Sequence, residues 1–354
     1  MSAHLSTSNA MGRAERLAWI VGAVGVVGAA VGWALVPRDF AFAWLAATVA
    51  FSGWPLGSIA LVLAHSLTGG HWGETARPAL LIGVLATPLV ALFALPVLIM
   101  LPTLYPWARA GELLNNGWYL NIVFFAIRGV FYLATWFVLA WLTLVGGPRL
   151  HRIAPPGVLL LAVTFTFASI DFTMSLEPKF ASNIYGMLSS TGAGLLALAV
   201  AIILTAPGAA PRVRNDLGKL LLALTILWTY LDFMQLLIVW QADLVSQAPW
   251  YLHRAFGFWS WVMGAVALGH SAIPILLLFW PQVRKSGWAL PWIAAWLVLW
   301  EVVRAWWTVL PAAPRQPGWV DLASLLAVGG IATGFVLWRA RLRRLGGSRE
   351  MSHA

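Results

Sequence analysis

The sequence has no cysteine among its 354 residues. Disulfides, iron–sulfur clusters, covalently attached haem and thiolate zinc sites need cysteine, so this chain cannot hold them. It also lacks a Gly-x-Ser-x-Gly elbow, a Walker loop and a His-Glu-x-x-His helix. These are signatures of hydrolases, nucleotide-binding proteins and zinc proteases, so none of these classes is indicated.

Charge is scarce as well. Only 10% of the residues are charged and 61% are hydrophobic, whereas a soluble domain carries about 25% charged residues. Soluble and disordered folds are therefore excluded. Because a spanning helix needs about 20 mostly apolar residues, the sequence predicts an all-α polytopic membrane protein. We expect ten spans, numbered 1 to 10, at 17–36, 42–67, 79–102, 118–145, 157–177, 184–205, 217–242, 254–280, 290–310 and 319–340.

The net charge of +10 indicates loop asymmetry across a membrane rather than nucleic-acid binding. With ten spans both termini lie on one side, and fifteen of the 22 Lys and Arg residues lie there with them. Two more, Arg128 and Arg304, fall inside spans. Only five lie on the opposite side: Arg38, Arg109, Lys179, Arg254 and Arg315. The positive-inside rule then predicts cytoplasmic termini. The polar first sixteen residues carry no cleavage pattern, so no removable signal peptide is expected.

A weak internal repeat is visible. Trp-Tyr-Leu at 118–120 recurs at 250–252, and the acids Asp171 and Glu301 occupy similar places in spans 5 and 9. We therefore expect two four-helix bundles, at 42–177 (spans 2–5) and 184–310 (spans 6–9), flanked by spans 1 and 10 within one membrane domain. Prolines 55, 88, 96 and 274 inside spans predict breaks or kinks.

Ionisable residues at membrane depth are the strongest indication of function, because each costs about 2.5–3.5 kcal/mol to insert. Six side chains stand out: Arg128, Asp171, Asp232, His270, Glu301 and Arg304. They form either a proton path or structural links. Arg128 with Asp171, and Glu301 with Arg304 at a spacing of three, are equally explained as packing ion pairs. His270 is equally explained as an interhelical hydrogen-bonding residue. Asp232 has no partner in its own helix, which favours its protonated form.

A second polar group is expected at the periplasmic face, made of Glu177, Lys179, Gln241, Asp243, His253 and Arg254. Lys179 and Arg254 are consistent with interfacial snorkelling. His253, placed at the start of span 8 beside Arg254, would accept a hydroxyl proton from a quinol, or else is a solvated histidine. With Gln235 and Asp171 it forms the candidate quinone-proximal set. His65, His253 and His270 lie at three depths, so no haem is expected.

The stretch 169–186 reads Ser-Ile-Asp-Phe-Thr-Met-Ser-Leu-Glu-Pro-Lys-Phe-Ala-Ser-Asn-Ile-Tyr-Gly. It resembles the Asp-x-x-Met-Ser-Leu-x-Pro-x-x-x-Ser-x-Ile-Tyr-Gly segment of quinone-binding subunit 2 of alternative complex III, the bacterial quinol:cytochrome c oxidoreductase. That subunit belongs to the NrfD/polysulfide-reductase-like membrane proteins. Two further stretches agree, from Tyr119 through Arg128 to Tyr132, and from Gln235 through Trp250 to Arg254. Together they cover about a third of the chain.

The resemblance implies a multi-pass subunit of the bacterial inner membrane that contributes to quinol oxidation or proton translocation. The implied partners are an iron–sulfur/molybdopterin-like subunit, a multihaem cytochrome c and a paralogous NrfD-like membrane subunit, besides membrane lipids. It implies quinol as the redox molecule, bound here or in the paralogue, with no haem or iron–sulfur cluster in this chain. The rival interpretation is a proton-coupled secondary transporter or ion channel, which would use the same buried charges and broken helices.

Overall fold

A computed structural model describes residues 2–109, 117–242, 245, 247–313 and 315–352, with the side chains of residues 12–342 within those ranges. Helices dominate and the described residues contain no strand. The prediction of an all-α membrane protein with ten spans is confirmed. Spans 1 to 10 run Gly12–Leu35, Pro37–Thr68, His71–Ile99, Ile122–Val145, Gly147–Leu176, Tyr185–Gly208, Pro211–Gln241, Phe258–Phe279, Ala289–Ala312 and Trp319–Leu342.

The helices extend beyond the apolar stretches that predicted them. Spans 3, 5 and 7 begin six to ten residues earlier than expected, at His71, Gly147 and Pro211. Hydropathy detects only the part of a helix that lies in the hydrocarbon core of the membrane. The helical backbone hydrogen bonds continue beyond it into the membrane interface. Span 4 begins later, at Ile122, because Asn121 caps it by accepting a hydrogen bond from the Phe124 N–H at 2.9 Å.

Two spans are irregular. Span 3 consists of helices His71–Leu85 and Thr87–Ile99, separated at Ala86 just before Pro88. Span 8 carries a π-helical turn at Ala267–Ala272 and is preceded by a separate short helix, Ala248–Ala255. Pro274 directly follows the π-helical turn, whereas Pro55 lies inside the unbroken helix Pro37–Thr68. The predicted break is therefore found near Pro88 and a helix irregularity near Pro274.

Spans 2 and 6 form the centre of the molecule. They pack against each other, and about 72% and 67% of their apolar windows are buried. Span 2 also contacts spans 3 and 5, while span 6 contacts spans 7 and 9. Further contacts join span 6 to spans 3 and 5, and span 2 to span 9. These contacts run between the two predicted bundles as well as within them, and the division into bundles stays a prediction.

Spans 1 and 10 form a close antiparallel pair that packs on span 2. A side chain at Gly25 would overlap the backbone of Ala327, and one at Gly330 would overlap Gly22. Small residues let the backbones approach this closely. The Glu15 carboxylate, near the start of span 1, forms an ion pair at 2.8 Å with the Arg341 guanidinium, near the end of span 10. Both termini therefore lie on one side, here called the terminal side, and its cytoplasmic assignment stays a prediction.

Arg315 links two connections on the opposite side. Its guanidinium binds the fully buried Asp321 carboxylate at 2.6 and 2.8 Å and donates to the Asp39 backbone carbonyl at 3.0 Å. The Trp259 indole N–H donates to the Arg315 carbonyl at 3.2 Å. Arg315 thereby joins the turn between spans 1 and 2 to the ends of spans 8 and 10.

Candidate functional site

Arg128 and Asp171 form a buried bidentate ion pair between spans 4 and 5. Arg128 Nε and Nη2 each donate to an Asp171 carboxylate oxygen at 2.8 Å, and the Tyr132 hydroxyl donates to Asp171 Oδ2, also at 2.8 Å. These three residues are the first charge cluster. Tyr132 lies four residues after Arg128 and so on the same helix face. Arg128 lies about 9 Å from the start of span 4, closer to the opposite side than the predicted midplane position.

The connection before span 4 covers the first charge cluster. The Arg128 guanidinium lies 3.8 Å above the Tyr119 ring and donates to the Tyr119 carbonyl at 2.9 Å. Burial, together with the Asp171 carboxylate, raises the pKa of Tyr119 to about 12. The Tyr105 hydroxyl donates to the Phe172 carbonyl at 2.8 Å, and burial raises its pKa too. Both tyrosines thus stay neutral next to the charged pair.

Glu301 joins spans 8 and 9 in a second charge cluster, made of His270, Glu301 and Arg304. His270 Nε2 lies 3.0 Å from Glu301 Oε1, and Arg304 Nε donates to Glu301 Oε2 at 2.8 Å. His270 is fully buried and Glu301 is 3% exposed. This cluster lies near the middle of spans 8 and 9, and the predicted i, i+3 pair of Glu301 and Arg304 is present.

The π-helical turn places His270. It leaves backbone carbonyls without their usual helical donors, and the Trp296 indole N–H donates to the Gly269 carbonyl at 2.7 Å. A side chain at Gly269 would overlap the Trp300 ring. The turn and two tryptophans of span 9 therefore hold His270 next to Glu301. A π-helical turn has no clear sequence signature, and the sequence analysis did not predict it.

Asp232 belongs to the surroundings of the second charge cluster. It is partly buried and makes no hydrogen bond or ion pair with the residues that the structure describes. It interacts electrostatically with Arg304 and His270. Trp228, one helical turn earlier, lies against His270 with a ring-centre distance of 4.0 Å. Asp232 has no charged partner in its own helix, and the fold gives it no direct partner among the described residues either.

Glu177, His253 and Arg254 form a surface cluster on the opposite side. Glu177 Oε2 lies 3.0 Å from His253 Nδ1, and Arg254 Nη1 donates to Glu177 Oε1 at 2.8 Å. Arg254 is 1% exposed, stacks on Trp250 at 3.8 Å and donates to the Thr308 carbonyl at 2.8 Å. Burial lowers the pKa of Arg254, and the Glu177 carboxylate opposes this shift.

Three expectations for this group need correction. Arg254 does not snorkel, because its guanidinium is buried among carbonyls and rings. His253 lies in the last turn of the short helix Ala248–Ala255 rather than at the start of span 8. The group is also smaller than predicted, since Lys179 and Gln241 are exposed and join neither Glu177 nor His253. Asp243, and the side chains of Arg343, Arg344 and Arg349 counted on the terminal side, lie outside the described residues.

Gln235 lies on span 7 and is buried near the start of span 6. The Ser182 hydroxyl donates to its side-chain oxygen at 2.8 Å. It makes no hydrogen bond to His253, whose hydrogen-bond partner is Glu177. Each member of the predicted quinone-proximal set therefore has a different side-chain partner, since Asp171 binds Arg128, Gln235 binds Ser182 and His253 binds Glu177, and the set itself stays a prediction.

A cavity with about 1240 Å³ of empty space, part of it open to the surroundings, lies among spans 2, 3, 4, 5, 6 and 9. Tyr132 of the first charge cluster lines it, and so do Glu301 and Arg304 of the second. Between them the Tyr185 hydroxyl donates to Thr173 Oγ1 at 2.8 Å, and both residues line the cavity. The two charge clusters therefore border one cavity, whose remaining wall is mostly apolar. Asp171, Asp232, His270, Gln235 and His253 do not line it.

Gly192 leaves the room that Arg304 occupies at the cavity wall. A Cβ at this position would lie 2.8 Å from Arg304 Nη2 and 3.2 Å from Glu301 Oε1. The sequence analysis missed Gly192 and Tyr185, because a glycine or a tyrosine inside a span reveals neither a close approach nor a cavity.

Within the described part of the chain, no group of three or more His, Asp or Glu side chains could hold a metal ion. Apart from Asp232, the ionisable residues of the two charge clusters and of the Glu177 group instead form pairs and triads of opposite charge, as buried charges require. No protein-family model matches this chain, and no curated protein is significantly similar to it.

Proposed function

We propose that this chain is an integral membrane subunit of a respiratory quinol:electron-acceptor oxidoreductase, similar to quinone-binding subunit 2 of alternative complex III. Its contribution is to quinol oxidation, to proton translocation, or to both. The resemblance of segment 169–186 supports this proposal, and so does the placement of Asp171 in a buried ion pair.

One observation carries the proposal: a single apolar cavity reaches both charge clusters. Mostly apolar cavities with a few convergent polar groups are typical sites for small organic ligands. Tyr132 and Arg304 provide hydroxyl and guanidinium donors on its wall, while Thr173 and Tyr185 provide hydroxyls between them. Such a cavity suits an amphipathic quinol, and its polar wall suits a proton that travels between the clusters.

The direct test is purification of the protein from its native membrane in mild detergent. The proposal predicts that an iron–sulfur/molybdopterin-like subunit, a multihaem cytochrome c and a paralogous NrfD-like membrane subunit co-purify with it, and that quinone can be extracted. Isolation of a chain without redox partners, in a detergent that preserves other respiratory complexes, would contradict the proposal.

The alternative is a proton-coupled secondary transporter or ion channel. The observation that favours it is the irregular backbone of span 3 at Ala86 and of span 8 at residues 267–272, because discontinuous helices often form transport sites. Reconstitution of the chain alone into liposomes separates the two proposals. Proton flux that depends on Glu301 would favour transport, whereas tight liposomes favour a subunit that acts only within its complex.

A further inference from the structure

Four polar groups beside the second charge cluster have no partner in the described structure, one of them the Trp300 indole N–H that lies against Gly269. His270 Nδ1 and Trp228 Nε1 are both buried without a hydrogen bond, and Asp232 makes no hydrogen bond or ion pair. The His270 and Trp228 rings are only 4.0 Å apart, and Asp232 lies one helical turn beyond Trp228. Buried polar groups without partners are rare, and several in one place indicate a bound polar molecule.

The protein cannot supply the missing partners from within the second charge cluster. Glu301 accepts from His270 through Oε1 and from Arg304 through Oε2. The wall around Trp228 is mostly apolar, formed by Leu188, Leu231 and Val266 with Trp300 packed against them. Among these side chains only the Trp300 indole carries a hydrogen-bonding group, and it too has no partner, so the orphaned groups face each other or a small guest.

The hydrogen-bonding capacities fit a water molecule. A carboxylate only accepts, so His270 Nε2 donates to Glu301, and in the tautomer protonated at Nε2 alone Nδ1 is an acceptor. Trp228 Nε1 is a donor only. One water can donate to His270 Nδ1, donate to the Asp232 carboxylate and accept from Trp228. This gives three hydrogen bonds, the number typical of a buried water.

We infer that Asp232, His270 and Trp228 form an internal hydration site that links Asp232 to Glu301 through water and the His270 ring. When the Asp232 carboxyl is protonated it donates to the same water instead of accepting from it. Its proton then moves to the water, and the water passes a proton to His270 Nδ1. The Nε2 proton of His270 then moves to Glu301. The balance is one proton moved from Asp232 to Glu301, with the water restored and His270 left in its other tautomer. Hydration of the site does not depend on the proposed function, whereas its use as a relay rests on it.

The test is solid-state NMR on the full chain, labelled with ¹⁵N-histidine and reconstituted in lipid bilayers. The His270 signals are assigned by their loss in His270→Gln. We expect an unprotonated Nδ1 that receives magnetisation from water protons. Trp228→Phe and Asp232→Leu should each reduce this transfer, because each removes one of the three groups that hold the water.

The matched control is Trp306→Phe, which removes another indole N–H without a partner, from a residue that packs in the main core. The transfer should be unchanged in this variant. Circular dichroism and size-exclusion chromatography establish that each variant folds. Absence of transfer to His270 in the wild type would overturn the inference, and so would unchanged transfer in Trp228→Phe or Asp232→Leu. A hydrated site together with undiminished quinol turnover in Asp232→Asn would instead refute the relay alone, whereas isolation without redox partners would refute the proposed function and leave the hydration site standing.

Discussion

At the residue scale, the two charged pairs closest to the cavity each join partners of opposite charge. Arg128 with Asp171 and Arg304 with Glu301 form these pairs at 2.8 Å. The i, i+3 spacing predicts the second pair from sequence, since both residues lie on one helix. The third member, His270, is on another helix and depends on tertiary packing, which the sequence pattern does not contain.

Asp171→Asn should destabilise the protein by about 3–5 kcal/mol, because it leaves the Arg128 guanidinium buried without its counter-charge. Thermal unfolding in detergent measures the effect. The double variant Arg128→Leu/Asp171→Leu should be more stable than Asp171→Asn, since it removes both charges. Glu74→Gln is the control, because Glu74 and its partner His71 are largely exposed and such pairs contribute about 0–1 kcal/mol. If Asp171→Asn and Glu74→Gln had the same melting temperature, the Arg128–Asp171 ion pair would not be a structural one.

At the scale of helices, hydropathy predicts which segments span the membrane but not how they pack. All ten spans were expected, and their ends shift where a helix continues into the interface. The break at Ala86 has a visible cause in Pro88. The π-helical turn at 267–272 depends on Trp296 and Trp300 of another span, so the local sequence could not specify it.

Gly25→Leu should separate spans 1 and 10, because even a Cβ at Gly25 overlaps the Ala327 backbone. We expect a lower melting temperature and weaker proteolytic protection of the last span. Gly12→Leu is the matched control, since nothing lies within 4 Å of a Cβ at that position. If both variants retain wild-type stability, close backbone approach is not what holds this pair together.

At the scale of the whole molecule, the charge asymmetry predicts cytoplasmic termini. The absence of cysteine makes this simple to test, because any introduced thiol is the sole reactive one. His71→Cys on the terminal side and Lys179→Cys on the opposite side are both exposed positions. A maleimide that cannot cross the membrane should label Lys179→Cys in cells with a permeable outer barrier and leave His71→Cys unlabelled. The reverse pattern would place the termini outside.

The cavity is also a property of the whole molecule, and only some of its lining residues could be predicted from the sequence. Composition located the charged residues that reach it, namely Glu301 and Arg304. Its existence depends on how six spans leave a gap, and on small residues such as Gly192 that make room for Arg304. These features arise from packing between distant segments, so pattern analysis could not predict them.

The proposed role of Asp232 in proton-coupled quinol oxidation can be measured in the purified complex that carries Asp232→Asn. The readouts are quinol-dependent reduction of the electron acceptor and the release of protons. The control is Asp216→Asn, the same change in the same span at a residue that is 42% exposed and paired with Lys219 at 3.7 Å. The account predicts that Asp232→Asn lowers proton-coupled turnover while Asp216→Asn does not. Equal turnover and equal proton release in both intact complexes would contradict it.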